Sequence, residues 1–150
     1  MPFLLQKIMK LSSLNRLRTK DEYRWLLENA KRIEDNQPHD DAGLRIFLLE
    51  MSKSDEHGLR SRFRILIGHL LKAQYQSKKK TRSWDVTILN QRDDLSAVLQ
   101  DSATLRNFAQ VNLEKYYQLG VEFASVQTGL PASTFPPTCP WTIKQILGIL

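Results

Sequence analysis

The chain has 150 residues and a formal net charge of +6, and 41% of its residues are hydrophobic and 25% charged. This composition is ordinary for a soluble globular protein, and six Gly and six Pro are too few for a linker-rich or disordered chain. A single cysteine, Cys139, excludes an intramolecular disulfide and a multi-cysteine metal site, and it fits a reducing compartment, so we expect a cytoplasmic protein.

Residues 1–18 are predicted to form a basic amphipathic extension ahead of the main domain. The first twenty residues carry five basic and no acidic side chains. Lys7 and Lys10 interrupt the apolar residues, which argues against a secretory signal, whereas an organelle-targeting segment or a poorly packed extension fits the pattern. The arm could also touch an anionic membrane surface. No apolar run approaches the ~20 residues needed to cross a bilayer, so no transmembrane segment is predicted.

The next predicted helix runs from Thr19 to Arg32. Thr19 is a suitable N-cap, and Glu22 three residues later completes the pattern of a capping box. Four apolar side chains at helical spacing predict its buried face, with Trp25 beside it: Tyr23, Leu26, Leu27 and Ala30. A second helix is predicted at residues 42–51. It could merge with the following helix through residues 52–57, although Ser and Gly residues weaken that segment.

Residues 59–76 are predicted to form the central helix of the domain. At about 100° per residue, one stripe collects seven residues that are apolar except for the last: Leu59, Phe63, Leu66, Ile67, Leu70, Ala73 and Gln74. Further apolar residues lie on other sides of the helix, which indicates that it contacts partners on several faces. Its polar positions are mostly basic.

Three further helices are predicted at Trp84–Gln100, Leu105–Thr128 and Trp141–Leu147. Gly129 stands where a helix C-cap glycine is expected, and Pro131 follows it. No segment shows a sustained alternation of period two. The sequence therefore predicts an all-α fold without a sheet, in which residues 19–150 form a single compact bundle of about five to six helices.

Several short motifs follow one another in a fixed order. They include Tyr23-Arg24-Trp25-Leu26, Leu59-Arg60-Ser61-Arg62-Phe63, His69-Leu70-Leu71-Lys72-Ala73-Gln74-Tyr75-Gln76, Thr128-Gly129-Leu130-Pro131 and Phe135-Pro136-Pro137-Thr138-Cys139-Pro140-Trp141-Thr142. Together they resemble the bacterial family called domain of unknown function 29, over about residues 21–147. The resemblance implies an almost entirely helical protein with no assigned activity. The chain departs from the family's acidic helix, because Leu44–Met51 keeps only Glu50, and from a family tryptophan, replaced here by Ala73.

Evidence for catalysis in the sequence is poor. His69, with Lys72 nearby on the same helix, is the third-choice polar site, but a general base also needs a nucleophile or substrate geometry. A histidine between an apolar and a basic face more often bonds a neighbouring helix. The groups 39–41 and 55–57 lack the spacing of a known metal site. We therefore predict no catalytic residues, no metal and no cofactor, and we favour a protein that is not an enzyme.

The basic connector, residues 78–82, is the best functional candidate in the sequence. Its cations, together with arginines of the central helix, could contact the phosphates of nucleic acid: Lys78, Lys79, Lys80, Arg82, Arg60 and Arg64. A lysine run between two helices is equally an ordinary solvated loop. Two functions stay open. The favoured one is a non-catalytic domain that binds an unknown protein partner or associates with itself, and the alternative is a nucleic-acid-binding module.

Overall fold

The computed structural model describes residues 9–149, and residues 1–8 and 150 lie outside the described part. Within it the chain forms seven α-helices and two 3₁₀ turns, and no strand is present. The helices are α1 (Leu11–Lys20), α2 (Glu22–Glu34), α3 (Asp41–Tyr75), α4 (Arg82–Asp101), α5 (Ala103–Val111), α6 (Leu113–Thr128) and α7 (Ile143–Ile146). The 3₁₀ turns are Ser77–Lys79 and Ala132–Thr134. The predicted all-α fold is confirmed.

The described helices number seven rather than five to six for two reasons. Helix α1 occupies much of the stretch predicted to be an N-terminal extension. The long pattern predicted to run from Leu105 to Thr128 forms two helices that meet at Asn112. There the Asn112 side-chain amide Nδ2 donates to the Phe108 carbonyl at 2.8 Å. Asparagine favours helix boundaries because its amide competes with the backbone in this way.

Helix α3 is continuous over 35 residues and includes the segment predicted to be weakest. The Ser52 hydroxyl donates to the Leu49 carbonyl at 2.8 Å, so the serine satisfies its hydroxyl within the helix. The chain divides into two units, residues up to Lys53 and residues from Ser54, and this boundary falls inside α3. The predicted division into residues 1–18 and 19–150 stays a prediction.

In the N-terminal unit, residues 9–53, a buried polar network joins α2 to the start of α3. The indole Nε1 of Trp25 donates to Asp40 Oδ2 at 3.0 Å, and the Gly43 N–H donates to Asp40 Oδ1 at 3.0 Å. Asn29 accepts from the Asp40 N–H at 2.8 Å and donates to the Trp25 carbonyl at 2.8 Å. We call these four residues the Trp25–Asp40 clamp. Because each polar group has a partner, the clamp can be buried without an unpaired donor or acceptor.

The cap of α2 differs from the predicted capping box. Thr19 lies inside α1, where its hydroxyl donates to the Arg16 carbonyl at 3.1 Å. Asp21 is the N-cap instead, and its carboxylate accepts from the Arg24 N–H at 3.0 Å. Aspartate is as good an N-cap as serine or threonine, so the sequence offered two suitable residues two positions apart.

The C-terminal unit, residues 54–149, is built on an apolar core around the second half of α3. Leu66 and Ile67 are fully buried in it, and the rings of Phe63 and Tyr116 stack with centroids 5.1 Å apart. Helices α3 and α6 approach closely at Gly120, where an added Cβ would lie 2.4 Å from Ile67 Cγ2. This is the central helix that the sequence predicted at residues 59–76.

The irregular segment after α6 packs against this core. Phe135 is buried, and its ring meets that of Tyr75 edge-on with centroids 5.1 Å apart. The Tyr117 hydroxyl donates to the Pro136 carbonyl at 2.6 Å, and the Gln118 amide donates to the Pro137 carbonyl at 3.1 Å. These bonds fix a proline-rich stretch that cannot supply a full set of backbone donors of its own.

Candidate interaction surface, basic connector and polar cluster

The basic connector joins α3 to α4. Lys78 and Lys79 are exposed in the 3₁₀ turn after α3, and Arg82 is exposed as the first residue of α4. Lys80 is exposed as well, but its Nζ lies 2.8 Å from Asp85 Oδ1. A phosphate at Lys80 would compete with a carboxylate that is already in place.

The two arginines predicted to extend the connector lie farther back along α3. Arg60 and Arg64 are both exposed. At about 1.5 Å per residue, Arg64 lies roughly 16 Å and Arg60 roughly 22 Å along the helix from its last residue, Tyr75. These separations exceed the Debye length of about 8 Å at physiological salt. The structure therefore does not bring all six predicted cations into one cluster.

His69 and Lys72 do come together, with side chains from α4 and α6. Lys72 is only 5% exposed, and its Nζ lies 3.3 Å from Gln127 Oε1 and 4.3 Å from the ring centroid of Trp84. The His69 ring lies 5.5 Å from that of Phe123. We call His69, Lys72, Trp84 and Gln127 the polar cluster. The ammonium of Lys72 is stabilised by the Trp84 π-face and by an amide oxygen rather than by a carboxylate.

Burial lowers the pKa values of both titratable groups in this cluster. It lowers the pKa of Lys72, and it is also the main cause of the lowered pKa of His69. The bond to the Ile65 carbonyl opposes that shift at His69, while the Lys72 charge adds to it. His69 Nδ1 lies 3.0 Å from that carbonyl, which only accepts, so Nδ1 carries the proton. The contacts of both side chains are with other groups of the protein, which favours a structural role, although Gln127 is exposed. His69 bonds a carbonyl of its own helix and not a neighbouring helix as the sequence predicted.

The residues weighed as metal ligands in the sequence do not form a site. His39 pairs with Asp41 at 2.7 Å, Asp40 is committed to the Trp25–Asp40 clamp, and residues 55–57 lie exposed on α3. No group of three or more metal-capable side chains occurs among residues 9–149. The arrangement offers no described set of ligands for a metal ion.

Cys139 is half-buried beside the apolar core. Its thiol donates to the Trp141 carbonyl at 3.3 Å, and its backbone N–H donates to the Glu114 carboxylate at 3.0 and 3.2 Å. Burial is the main cause of the raised pKa of the thiol, and the nearby Glu114 charge raises it further. A raised pKa reduces the thiolate fraction, so this cysteine is a poor nucleophile near neutral pH.

The feature that sequence reasoning misplaced is the apolar stripe of α2. The stripe was predicted to face inward, yet Tyr23 is 73% exposed, Leu27 is 54% exposed and Ala30 is exposed, while Leu26 is half-buried. Trp25 and Asn29 face inward instead, because the Trp25–Asp40 clamp fixes that side of the helix. We call Tyr23, Leu27 and Ala30 the outer stripe. The amphipathic pattern was visible in the sequence, but the direction in which it points was not.

Basic side chains border the outer stripe on one side. On a helical projection Arg24 and Lys31 fall next to each other, about 80–100° from Tyr23, and both are exposed. The exposed Glu34 falls about 20° from Tyr23, within the stripe, and the exposed Glu22 lies about 100° away on the other side. More exposed large apolar side chains occur elsewhere in the same unit: Leu11, Ile33, Ile46, Leu48, Leu49 and Met51. Apolar side chains that are exposed next to one another, as in the outer stripe, are typical of interaction sites.

The fold and these surfaces define a class of protein: an all-α, multi-helix protein with an unpartnered apolar helix face and a separate basic connector. No helix among residues 9–149 is both long and apolar enough to span a bilayer. The chain belongs to the family described as Domain of unknown function DUF29, whose match covers residues 17–149. Neither a curated protein nor a solved structure gives a significant match.

Proposed function

We propose that the protein is a non-catalytic interaction domain whose contact surface is the outer stripe of α2. The carrying observation is that an amphipathic helix turns its apolar side toward solvent while its inward side is fixed by a polar network. Leaving Leu27 54% exposed forgoes part of the roughly 1.5–3 kcal/mol that full burial of a leucine provides, and the exposed Tyr23 ring forgoes further apolar burial. A partner that covers them would recover part of that free energy.

On the side of the outer stripe that carries Arg24 and Lys31, the charges of α2 favour a partner helix with an acidic edge over a second copy of α2. In an antiparallel pair of α2 helices centred on Leu27, Arg24 of one copy would lie near Lys31 of the other, because the same side of each helix meets its equivalent. Like charges placed in this way oppose association. An amphipathic helix carrying Asp or Glu beside its apolar stripe would pair with Arg24 and Lys31 instead.

Site-specific photo-crosslinking in native cells tests this proposal. A photoreactive residue replaces Leu27, and the matched control replaces Val126, which is 84% exposed in the other unit. We expect a discrete adduct at position 27 that the additional substitution Tyr23→Ser abolishes, and no such adduct at position 126. Equal labelling at both positions, or no adduct at position 27, would contradict the proposal. An adduct of twice the chain mass would identify self-association.

Nucleic-acid binding through the basic connector is the second candidate function. The observation that favours it is the exposure of three cations within five residues, Lys78, Lys79 and Arg82. Two contacts count against it: Lys80 is paired with Asp85, and the Trp84 ring, which could stack on a base, already lies against the Lys72 ammonium. We also propose a cytoplasmic location, which the unpaired thiol of Cys139 supports.

A further inference from the structure

A groove of about 620 Å³ lies in the C-terminal unit, on the side formed by the end of α4, by α5 and by α7. Its apolar lining comes from four aliphatic side chains: Leu99, Ile143, Leu147 and Ile149. Leu99 and Leu147 are buried and form the floor. The volume falls within the roughly 300–1,000 Å³ typical of small-molecule sites.

The charged side chains that line the groove are both positive. Arg106 and Lys144 line the groove, and the remaining polar lining residues are uncharged: Ser96, Gln100, Asn107 and Gln110. The Arg106 Nη1 donates to the Leu99 carbonyl at 2.7 Å and to the Gln100 carbonyl at 3.1 Å, which anchors the guanidinium at the end of α4. A guanidinium carries more N–H donors than these two bonds use, so others remain for a ligand.

The side of the groove formed by α7 is held in place by contacts with α4. The Arg92 Nε donates to the Ile146 carbonyl at 2.9 Å, which ties α7 to α4. Thr142 and Gln145 form a capping box at the start of α7. Gly148 has a φ of +71°, a conformation that favours glycine and turns the chain back beside the groove. The groove is therefore formed before any ligand binds, which lowers the cost of binding.

We propose that this groove binds a small amphipathic carboxylate, a molecule with an aliphatic body and one carboxylate group. The aliphatic body would lie on Leu99 and Leu147, and the carboxylate would pair with Arg106 and Lys144. A planar guanidinium matches a carboxylate geometrically, and a lysine adds a second positive charge. Among the described residues, no acidic side chain lines the groove and competes for these cations. This proposal is independent of the outer stripe of α2.

The proposal is tested by titrating isotope-labelled protein with decanoate and monitoring the amide chemical shifts by NMR. Decanol and decyltrimethylammonium share the aliphatic body but lack the carboxylate, and acetate has the carboxylate without the body. With decanoate kept below its micelle concentration, we expect saturable shifts confined to α5, α7 and the end of α4. Decanol, acetate and the ammonium compound should each bind at least about tenfold more weakly, the effect of losing one charge-assisted or apolar contact.

Two variants separate the groove from general binding to a basic protein. Lys144→Met should weaken decanoate binding by about tenfold because it removes one charge-assisted contact. Since Lys144 is exposed, the substitution should not alter the fold. Lys115→Met, at an exposed lysine of α6 outside the groove, should leave it unchanged. Decanol binding as tightly as decanoate, shifts elsewhere in the protein, no saturation, or equal effects of the two variants would each overturn the proposal.

Discussion

The two units of this protein are stabilised in different ways. The C-terminal unit buries seventeen apolar residues in one cluster, whereas the buried apolar side chains of residues 9–53 are Leu14 and Trp25. The N-terminal unit relies on the Trp25–Asp40 clamp, and it holds eight of the fourteen exposed large apolar side chains among the described residues. An amphipathic pattern thus marks a buried face in one unit and an outward face in the other.

The largest effect is expected in the apolar core. Leu66→Ala should lower the free energy of unfolding by about 2–5 kcal/mol, because Leu66 is fully buried and its removal leaves a cavity. Leu89→Ala is the matched control, since Leu89 is 57% exposed and its change should stay within about 0.5 kcal/mol. Urea unfolding measures both. Equal losses for the two variants would show that the core does not lie where the structure places it.

An effect of comparable size but more local extent is expected in the N-terminal unit. Asp40→Ala removes the acceptors of the Trp25 indole and the Gly43 N–H, and each unpaired buried donor costs about 1–3 kcal/mol. Amide hydrogen exchange should accelerate in α2 and the first turns of α3 but not in α6. The control is Asp41→Ala, because the Asp41 side chain is 87% exposed. Uniform acceleration across both units would mean that they do not differ in the way described.

The pH dependence of the stability of the C-terminal unit should reflect the protonation of His69. Since burial lowers its pKa below the ordinary 6.5, the unfolded chain binds the proton more readily than the folded protein does. The stability contributed by neutral His69 is complete above about pH 6.5 and is lost as the pH falls below that value. His69→Gln should flatten this part of the stability–pH curve. A curve unchanged by the substitution would show that the imidazole is not protected from protonation.

The smallest effect on stability is expected at the basic connector. Changing Lys78, Lys79 and Arg82 to Gln should alter the free energy of unfolding by less than about 0.5 kcal/mol, because all three are exposed. If they bind phosphates, the log–log salt slope of binding should be roughly −2 to −3 for the wild type and flatter for the variant. Absence of binding to DNA and RNA at low salt would exclude this second function.

Much of the fold could be predicted from the sequence because helical periodicity and the residues that begin and end helices are local signals. Gly129 ends α6 in the left-handed conformation that its position predicted, with a φ of +72°. Serine is a preferred N-cap residue, and Ser102 caps α5 by accepting from the Leu105 N–H at 3.1 Å. Both signals depend on a few neighbouring residues, so they can be interpreted without knowing the tertiary structure.

The parts that the sequence did not predict depend on residues far apart in the chain. Trp25 turns inward because Asp40, fifteen positions later, accepts its indole N–H. The periodicity of residues within α2 cannot indicate a partner that lies outside the helix. Lys72 is buried because Trp84 and Gln127 surround its ammonium, although its basic neighbours on α3 suggested a solvated face. The groove likewise combines α4, α5 and α7, which no single motif connects.

Thiol labelling tests most directly whether the outer stripe is a contact surface. In a Cys139→Ser background, Leu27→Cys and Val126→Cys each place one thiol at an exposed position, in α2 and α6 respectively. Labelling rates with a membrane-permeable maleimide are compared between purified protein and native cells. We predict that position 27 is labelled several-fold more slowly in cells than in purified protein, while position 126 reacts equally in both. Equal rates at position 27 would contradict the proposed contact surface.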